Sequence, residues 1–199
     1  YDDFIEFTQS AIPSSGVVTL MAWSFSPYQI PTGGQGGSPN NGGYGNGYRN
    51  ILSQGNNNDA WFLGFESDGE IRVSHTYSNI PVQFPFGEWV HFSLVCDQIN
   101  GFTKLYKNGF LVDQTTTSML PSNSIFRIGR QWSGILHNYE DWFGNIDNVQ
   151  IWDRALTIQE IQQYMNCPPS GIETGLVGYW NFEEGSGNTV YDQTSNGNN

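Results

Sequence analysis

Three acidic residues at alternate positions are the clearest candidate for catalysis in this sequence. They are Glu66, Asp68 and Glu70, in the pattern E-x-D-x-E. Alternate residues of a β-strand lie on one face of a sheet, and carboxylates placed together can hydrolyse a glycosidic bond. However, Ser67-Asp68-Gly69 is typical of a turn, and a turn would separate the carboxylates. We therefore expect no catalytic site here and predict that the chain is not an enzyme.

The histidines and cysteines show no catalytic spacing. His75, His91 and His137 are far apart, without the i, i+4 spacing of a helical zinc site. Cys96 ends an apolar, strand-like run and has no nucleophile signature around it, and Cys167 precedes a Pro-Pro pair. A disulfide between the two cysteines is possible. The alternative is a buried thiol at Cys96 and a separate thiol at Cys167.

An aromatic-rich stretch, RQWSGILHNYEDWFG at 130–144, is a candidate for binding sugar. It joins two predicted strands, so it should form a loop at the rim of a sheet. Aromatic rings stack on sugar faces, and nearby carboxylates and amides bond the hydroxyl groups. The alternative is that the tryptophans only anchor the loop by packing. The candidate ligand-binding residues are Trp132, His137, Tyr139, Asp141 and Trp142.

The charge of the chain excludes some partners and favours others. Acidic residues outnumber basic ones by 19 to 7, for a net charge of -12. This charge would repel a phosphate backbone, so we expect no nucleic-acid partner. The same charge attracts cations, and Ca²⁺ is the first metal to consider because it binds carboxylate and carbonyl oxygens. The sequence has no apolar run of about 18 residues, so we expect no membrane insertion.

Many short strands separated by turns dominate the pattern. The pair Asn108-Gly109 predicts a tight hairpin between two of them. One helix is predicted over Ile158–Asn166, with Thr157 and Glu160 in a capping-box pattern. The sequence therefore predicts an all-β fold, an antiparallel β-sandwich with one short helix near its C-terminus. The predicted core includes Trp23, Phe92, Leu94, Leu105 and Ile128.

Several segments, in the right order, resemble the laminin-G-like, concanavalin-A-like jelly-roll superfamily in its bacterial, pentraxin-related branch. The closing strand and helix, GNIDNVQIWDRALTIQEI at 144–161, are the most specific of them. The others are DDFIEF at 2–7, VTLMAWSFSP at 18–27, FGEWVHFSLVCD at 86–97, KLYKNGFLV at 104–112 and FRIGR at 126–130. The resemblance implies a jelly-roll domain over residues 1–166.

The last part of the sequence resembles the opening segment of such a domain. Residues 167–175, CPPSGIETG, are interpreted as a linker, and LVGYWNFEEGSGNTVYDQTSNGNN at 176–199 as a strand that is displaced to this position. The strand either folds back as the missing first strand or begins a further repeat. We expect it to be ordered and strand-paired, within the chain or with another copy.

The resemblance also implies a structural Ca²⁺ that ties the opening segment to the closing strand. The implied ligands are Asp147 from the closing strand, with Asp192 and Asn196 from the run DQTSNGN. The alternative is that Asp147 makes hydrogen bonds at a strand end and that DQTSNGN is a polar turn. A glycoside hydrolase family of the same fold has a motif like E-x-D-x-E, but that motif prefers apolar residues where Ser67 and Gly69 stand.

The favoured function is a non-catalytic binding or adhesion module with a structural calcium. We expect the protein to be secreted or at the cell surface, with a glycan or an extracellular protein as its partner and with neighbouring tandem domains. The first alternative is a structural spacer repeat in a large surface protein. The second is a jelly-roll glycoside hydrolase or lyase, which the broken carboxylate pattern disfavours.

Overall fold

The computed structural model describes residues 4–7, 10–11, 14–27, 49–55, 61–65, 69–74, 80–116, 125–130 and 142–199. The chain divides into two compact units. The first unit comprises Tyr1–Gln9, Phe25–Glu88 and Pro121–Asn145, and the second comprises Ser10–Ser24, Trp89–Leu120 and Ile146–Asn199. No helix among the described residues has the length and apolar character needed to cross a membrane.

The described residues form twelve strands and one helix. The strands are β1 (Ile5–Glu6), β2 (Val17–Phe25), β3 (Arg49–Gln54), β4 (Trp61–Phe65), β5 (Glu70–Ser74), β6 (Ile80–Gln83), β7 (Trp89–Asp97), β8 (Phe102–Lys107), β9 (Phe110–Thr115), β10 (Phe126–Ile128), β11 (Asn145–Trp152) and β12 (Leu176–Trp180), with helix α1 (Ile158–Asn166) between β11 and β12. They build two six-stranded sheets, ordered β1-β10-β3-β4-β5-β6 and β12-β11-β2-β7-β8-β9. The predicted all-β class with one short helix is confirmed.

The first sheet is antiparallel at each pair of neighbouring strands. Its strand β4 is buried along its whole length. Strand β6, at the edge of this sheet, was not predicted from the sequence. It contains Pro81, which has no N–H to give to a ladder and so weakens the strand pattern, although an edge strand tolerates it.

Helix α1 covers an apolar cluster on the second sheet. Ile161 is the buried residue of the helix. The capping box is present as predicted, with Thr157 Oγ1 accepting a hydrogen bond from Glu160 N and the Glu160 carboxylate accepting one from Thr157 N. The cluster comprises Met21, Val95, Tyr106, Trp152, Leu156, Ile161, Leu176 and Tyr179.

The predicted hairpin between β8 and β9 is also confirmed. Asn108 and Gly109 both have positive φ, at 49° and 76°, which is the conformation that an Asn-Gly hairpin turn requires. The Gly109 carbonyl accepts a hydrogen bond from Gln162 Nε2 of α1 at 3.0 Å. The hairpin turn is therefore held against the helix.

Four of the five predicted core residues are buried, and Trp23 is an exception. Phe92, Leu94, Leu105 and Ile128 are at most 3% exposed, whereas Trp23 is only partly buried. Its indole N–H donates to the Met165 carbonyl of α1 at 3.4 Å, so the ring lies beside the helix. The two cysteines are not bonded to each other, and Cys96 is buried while Cys167 is exposed.

Strand β12 pairs antiparallel with β11 of the same chain. In this pairing Trp180 lies opposite Val149 and Tyr179 lies opposite Gln150. Trp180 is fully buried and Phe182 is partly buried. The opening-like segment thus forms an edge strand of the second sheet, while the predicted division into a domain, a linker and a following segment stays a prediction.

Candidate functional site

Trp142 is the one predicted ligand-binding residue that lies among the described residues. Its backbone N–H donates to the Gly129 carbonyl at 2.7 Å, and its indole N–H donates to the Asn145 carbonyl at 3.2 Å. The side chain remains partly exposed. The other four candidates, Trp132, His137, Tyr139 and Asp141, lie outside the described residues.

Trp142 packs in an aromatic cluster of the first unit. Its ring centroid lies 5.3 Å from that of Phe84 and 5.8 Å from that of Phe65. Phe84 in turn lies 4.5 Å from Phe65 and 5.4 Å from Phe86. Tilted and edge-to-face pairs at these distances stabilise the cluster beyond their buried area. Trp142 therefore has the packing role that the sequence left open, and only its exposed part is available to a ligand.

The topology of the first sheet explains why these rings meet. In an antiparallel sheet alternate strands run in the same direction, so β10, β4 and β6 end at the same end of the sheet. Phe65 ends β4, Phe84 follows β6, and the carbonyl that holds Trp142 belongs to Gly129, directly after β10. We call Phe65, Phe84, Phe86, Trp142 and Phe143 the aromatic rim. Within it, Phe143 is 39% exposed and Phe86 is partly buried.

Gly144 allows the chain to turn directly after the aromatic rim. A Cβ at this position would lie 1.9 Å from the Phe25 carbonyl oxygen. Its φ of 148° also lies in a region that other residues rarely adopt. Glycine is therefore required where the chain passes the Phe25 backbone, directly after Trp142 and Phe143.

The sequence did not point to Phe65, Phe84 or Phe86 as site residues. Phe65 is the last residue of its strand, and Phe84 and Phe86 directly follow another strand in the run F-P-F at 84–86. Aromatic residues at strand ends are a usable signal. Which ends meet depends on strand order, and a single sequence does not show that order.

His91 is the histidine that the structure describes, and it is a core residue. Its ring is edge-on to Trp23 with centroids 5.2 Å apart, and its Nε2 makes no hydrogen bond with the described part of the chain. Burial lowers the pKa of His91 from 6.5 to about 3. The imidazole is therefore neutral near pH 7 and cannot be a protonated acid there. His75 and His137 lie outside the described residues.

The E-x-D-x-E pattern is only partly described. Glu66 and Asp68 lie outside the described residues, and Glu70 begins β5. Gly69 has a φ of 88°, a value that occurs in turns and not in strands. The described part of the pattern thus agrees with a turn directly before β5, and the positions of the first two carboxylates stay untested.

Asp147, a predicted calcium ligand, is a partly buried carboxylate in β11. Its pKa is raised above the ordinary value, mainly by burial and further by the negative charge of Glu183. The Asn148 N–H opposes this shift by donating to Asp147 Oδ1 at 2.7 Å. Asn148 Oδ1 itself accepts a hydrogen bond from the Tyr179 hydroxyl at 2.8 Å.

Asp192, the second predicted ligand, is already saturated with hydrogen bonds. Its Oδ1 accepts from the N–H groups of Tyr179 and Thr194, at 3.1 and 2.9 Å. Its Oδ2 accepts from Thr194 Oγ1 and from both the backbone N and Nδ2 of Asn198, at 2.9 to 3.1 Å. A carboxylate has about four lone-pair sites, so these five donors leave no free oxygen.

The three predicted calcium ligands differ in how well they fit the ion. Asp147 fits, because a partly buried carboxylate close to Glu183 gains from a cation. Asp192 does not fit as it stands, since Ca²⁺ would have to displace its hydrogen-bond donors. Asn196 is exposed and its Nδ2 donates to the Val177 carbonyl at 2.8 Å. Across the described ranges, no group of three or more His, Cys, Asp or Glu side chains is arranged to hold a metal ion.

The pattern that defines the concanavalin A-like lectin/glucanases superfamily matches residues 38–162. The chain belongs to this superfamily. The match covers most of the chain and includes the β7–β8–β9 segment and the closing strand. No curated protein matches the sequence at a significant level.

The fold of this superfamily member is similar to solved structures of distant sequence. A "putative carbohydrate binding protein" from Bacteroides ovatus has a TM-score of 0.74 at 18% identity, over 97% of this chain and 54% of its own. A SAP-like pentraxin from Limulus polyphemus has a TM-score of 0.56 at 18% identity, over 83% and 76%. Domain 4 of an extracellular arabinanase from Geobacillus stearothermophilus, in complex with arabinotriose, has a TM-score of 0.53 at 20% identity, over 77% and 68%.

These likenesses establish the fold and leave the ligand open. They confirm the predicted antiparallel jelly-roll β-sandwich class. The chain spans about half the length of the Bacteroides ovatus protein, 54% of it. Function has to be argued from the site, because one fold carries many functions.

Proposed function

We propose that this chain is a non-catalytic glycan-binding module. The observation that carries the proposal is the aromatic rim, where Trp142 and Phe86 keep partly exposed surface over a packed base of Phe65 and Phe84, and the exposed Phe143 directly follows Trp142. The flat C–H faces of a sugar ring stack on such rings, and the packed base holds them in place before the ligand arrives. A preorganised surface binds with a smaller loss of conformational entropy.

The family and the structural relatives support a carbohydrate ligand. The superfamily is named for lectins and glucanases, and the names of two similar structures include carbohydrate binding and a bound arabinotriose. The net charge of -12 disfavours sulfated or uronic acid glycans by repulsion. We therefore propose uncharged oligosaccharides as the ligand class.

The absence of catalysis is part of the proposal. Hydrolysis of a glycosidic bond requires an acid that is protonated near the working pH. His91 is neutral and buried, and Gly69 adopts a turn conformation directly before Glu70. A protein of this kind would act outside the cell, at a surface or in a larger secreted chain with tandem domains, and would adhere through its glycan ligand.

A structural Ca²⁺ remains part of the proposal, with Asp147 as its first ligand. The support is the raised pKa of Asp147, which results from burial and from Glu183. A bound divalent cation would relieve both effects. It would stabilise β11, which carries Asp147, and its role would be structural and not catalytic.

Binding to a panel of neutral and acidic oligosaccharides tests the proposal. We expect Phe143→Ala to weaken binding of the best neutral ligand at least about tenfold, because ring stacking is lost at an exposed position. Phe110→Ala is the matched control, since Phe110 is also an exposed phenylalanine, at 66%, but lies in β9 and is not part of the aromatic rim. It should leave binding unchanged.

Three outcomes would contradict the proposal. If no oligosaccharide binds to the folded protein, the spacer alternative is favoured. If a glycan is cleaved with turnover, the module is an enzyme. Equal loss of binding in the Phe143 and Phe110 variants would show that the aromatic rim is not the site.

A further inference from the structure

The outer side of β12 carries backbone groups that point away from the second sheet. In an antiparallel pair, alternate residues direct their N–H and C=O groups either towards the neighbouring strand or away from it. Tyr179 lies opposite Gln150, and both its N–H and its C=O bond to residues outside β11. The Val177 carbonyl also faces this side. Such an edge is a template for pairing with another strand.

Residues 192–198 bond to this edge in place of a strand. The Asp192 carboxylate accepts from the Tyr179 N–H at 3.1 Å, and the Gln193 N–H donates to the Tyr179 carbonyl at 2.8 Å. Three side chains converge on the Val177 carbonyl, from Thr194, Asn196 and Asn198, at 3.4, 2.8 and 3.1 Å. We call residues 192–198 the edge cap.

Asp192 holds the edge cap together. Besides the Tyr179 N–H, its carboxylate bonds Thr194 and Asn198. Asp192 and Thr194 are each only 9% exposed, so these bonds are shielded from water. Asn198 is tied to the strand a second time, since its carbonyl accepts from Trp180 Nε1 at 2.9 Å. Without the carboxylate, several shielded donors would lose their acceptor together.

We propose that the outer side of β12 is a strand-accepting surface that the edge cap keeps covered, and that its partner is β12 of a second copy of this chain. Two identical edges can pair antiparallel about a twofold axis, since each offers the groups that the other needs. The sequence of β12, LVGYW, has no charge that would oppose this pairing. The net charge of -12 on each copy does oppose it, so added salt should strengthen association.

Light scattering after size exclusion tests this in the full chain, over a range of protein and salt concentrations. The unaltered protein should be monomeric. Asp192→Ala should form a dimer whose population rises with salt. Gln193→Ala is the matched control, because its exposed side chain bonds only the Tyr191 carbonyl within the described part of the chain, and it should stay monomeric.

A second substitution shows whether the dimer uses this edge. Val177→Lys, added to Asp192→Ala, places a charge on the outer strand, which is how natural edges are blocked, and should restore the monomer. A dimer that persists in the double variant overturns the proposal. If Asp192→Ala does not fold by circular dichroism, Thr194→Val and Asn198→Ala open the edge cap more mildly. Folded, strictly monomeric forms of those two variants would also overturn it.

Discussion

The two edge strands of the second sheet, β9 and β12, are protected in different ways. Strand β12 is uncharged and is covered by the edge cap. Strand β9 instead pairs with β8 through a register shift opposite Leu105 and Tyr106, and β8 supplies Lys104 and Lys107 beside it. A register shift and charged side chains close to an edge both discourage further strand pairing. Phe110 and Leu111 of β9 can then remain 66% and 46% exposed.

This difference predicts how each edge should respond to substitution. At β12 the protection consists of many hydrogen bonds made by a few residues, so a single substitution should remove several of them at once. At β9 the protection is spread over strand geometry and surface charge, so single substitutions should matter little. Substitutions at the two edges should therefore have very unequal effects.

The largest expected effect is the loss of the Asp192 carboxylate. Asp192→Ala should lower the free energy of unfolding by about 3 kcal/mol, because the shielded donors around it lose their acceptor. Gln114→Ala, at an exposed position of β9, should change it by less than about 0.5 kcal/mol. Urea unfolding at low protein concentration, where association is minimal, measures both values. Equal effects at the two edges would show that the edge cap is not a concentrated source of stability.

The next effect is a dependence on pH that arises at His91, on β7 beside the β8–β9 hairpin. The pKa of His91 is about 3 in the folded protein, against 6.5 without burial. Between these values the unfolded chain binds a proton that the folded chain does not, so stability falls as pH falls from about 6.5 towards 3. We expect a loss of about 2.5 kcal/mol from this group between about pH 7 and pH 4.5.

The variant His91→Gln isolates this contribution. Carboxylates with lowered pKa values, such as those of Glu160 and Glu173, also reduce the stability of the protein as the pH falls. They do so equally in wild type and in the variant. The difference between wild type and variant should therefore shrink as the pH falls. A constant difference across this range would show that His91 takes up its proton as readily in the folded state as in the unfolded state.

A smaller effect of the opposite sign is expected at Asp147, on the strand next to β12. Its pKa is raised in the folded protein, by burial and by Glu183, so its contribution to stability is lost as pH rises through the folded pKa. Without calcium, Asp147→Asn should therefore be neutral or slightly stabilising at neutral pH. With Ca²⁺ at about ten times its Kd, wild type should gain about 1.4 kcal/mol, or about 3 °C in Tm.

Calcium titration by scanning calorimetry, after chelation of the starting sample, measures this effect. Asp147→Asn should abolish the rise in Tm, and Asp153→Asn, an exposed acidic residue beyond the end of the same strand, should keep it. A Tm that ignores calcium, together with no metal by elemental analysis, would rule out the proposed ion.

The smallest expected effect is at the exposed end of β9. Phe110→Ser should change the free energy of unfolding by less than about 0.5 kcal/mol, because the ring is 66% exposed and contributes little buried area. Thermal unfolding of the variant beside wild type checks this. A marked loss of stability would mean that the ring is covered in solution, and β9 would then resemble β12 in having a partner.

The sequence by itself was sufficient for the local structure and for the family. The span of α1, its capping box and the Asn108-Gly109 turn were predicted correctly, because each depends on interactions between residues close in sequence. The strand pattern and the ordered motifs were sufficient for the jelly-roll class. Strand β6 was not predicted because Pro81 weakens its strand pattern. Its pairing with β5 becomes visible only in the fold.

Only the tertiary structure decided which distant residues meet. The aromatic rim depends on three strand ends lying together, and the partners of Trp142 follow from that strand order. The family resemblance implies Asp192 as a metal ligand, which stays a prediction, and in the fold its carboxylate bonds the backbone of β12 and its own loop. A carboxylate can accept from a metal or from N–H groups equally well, and which of them it meets is determined by the path of the chain.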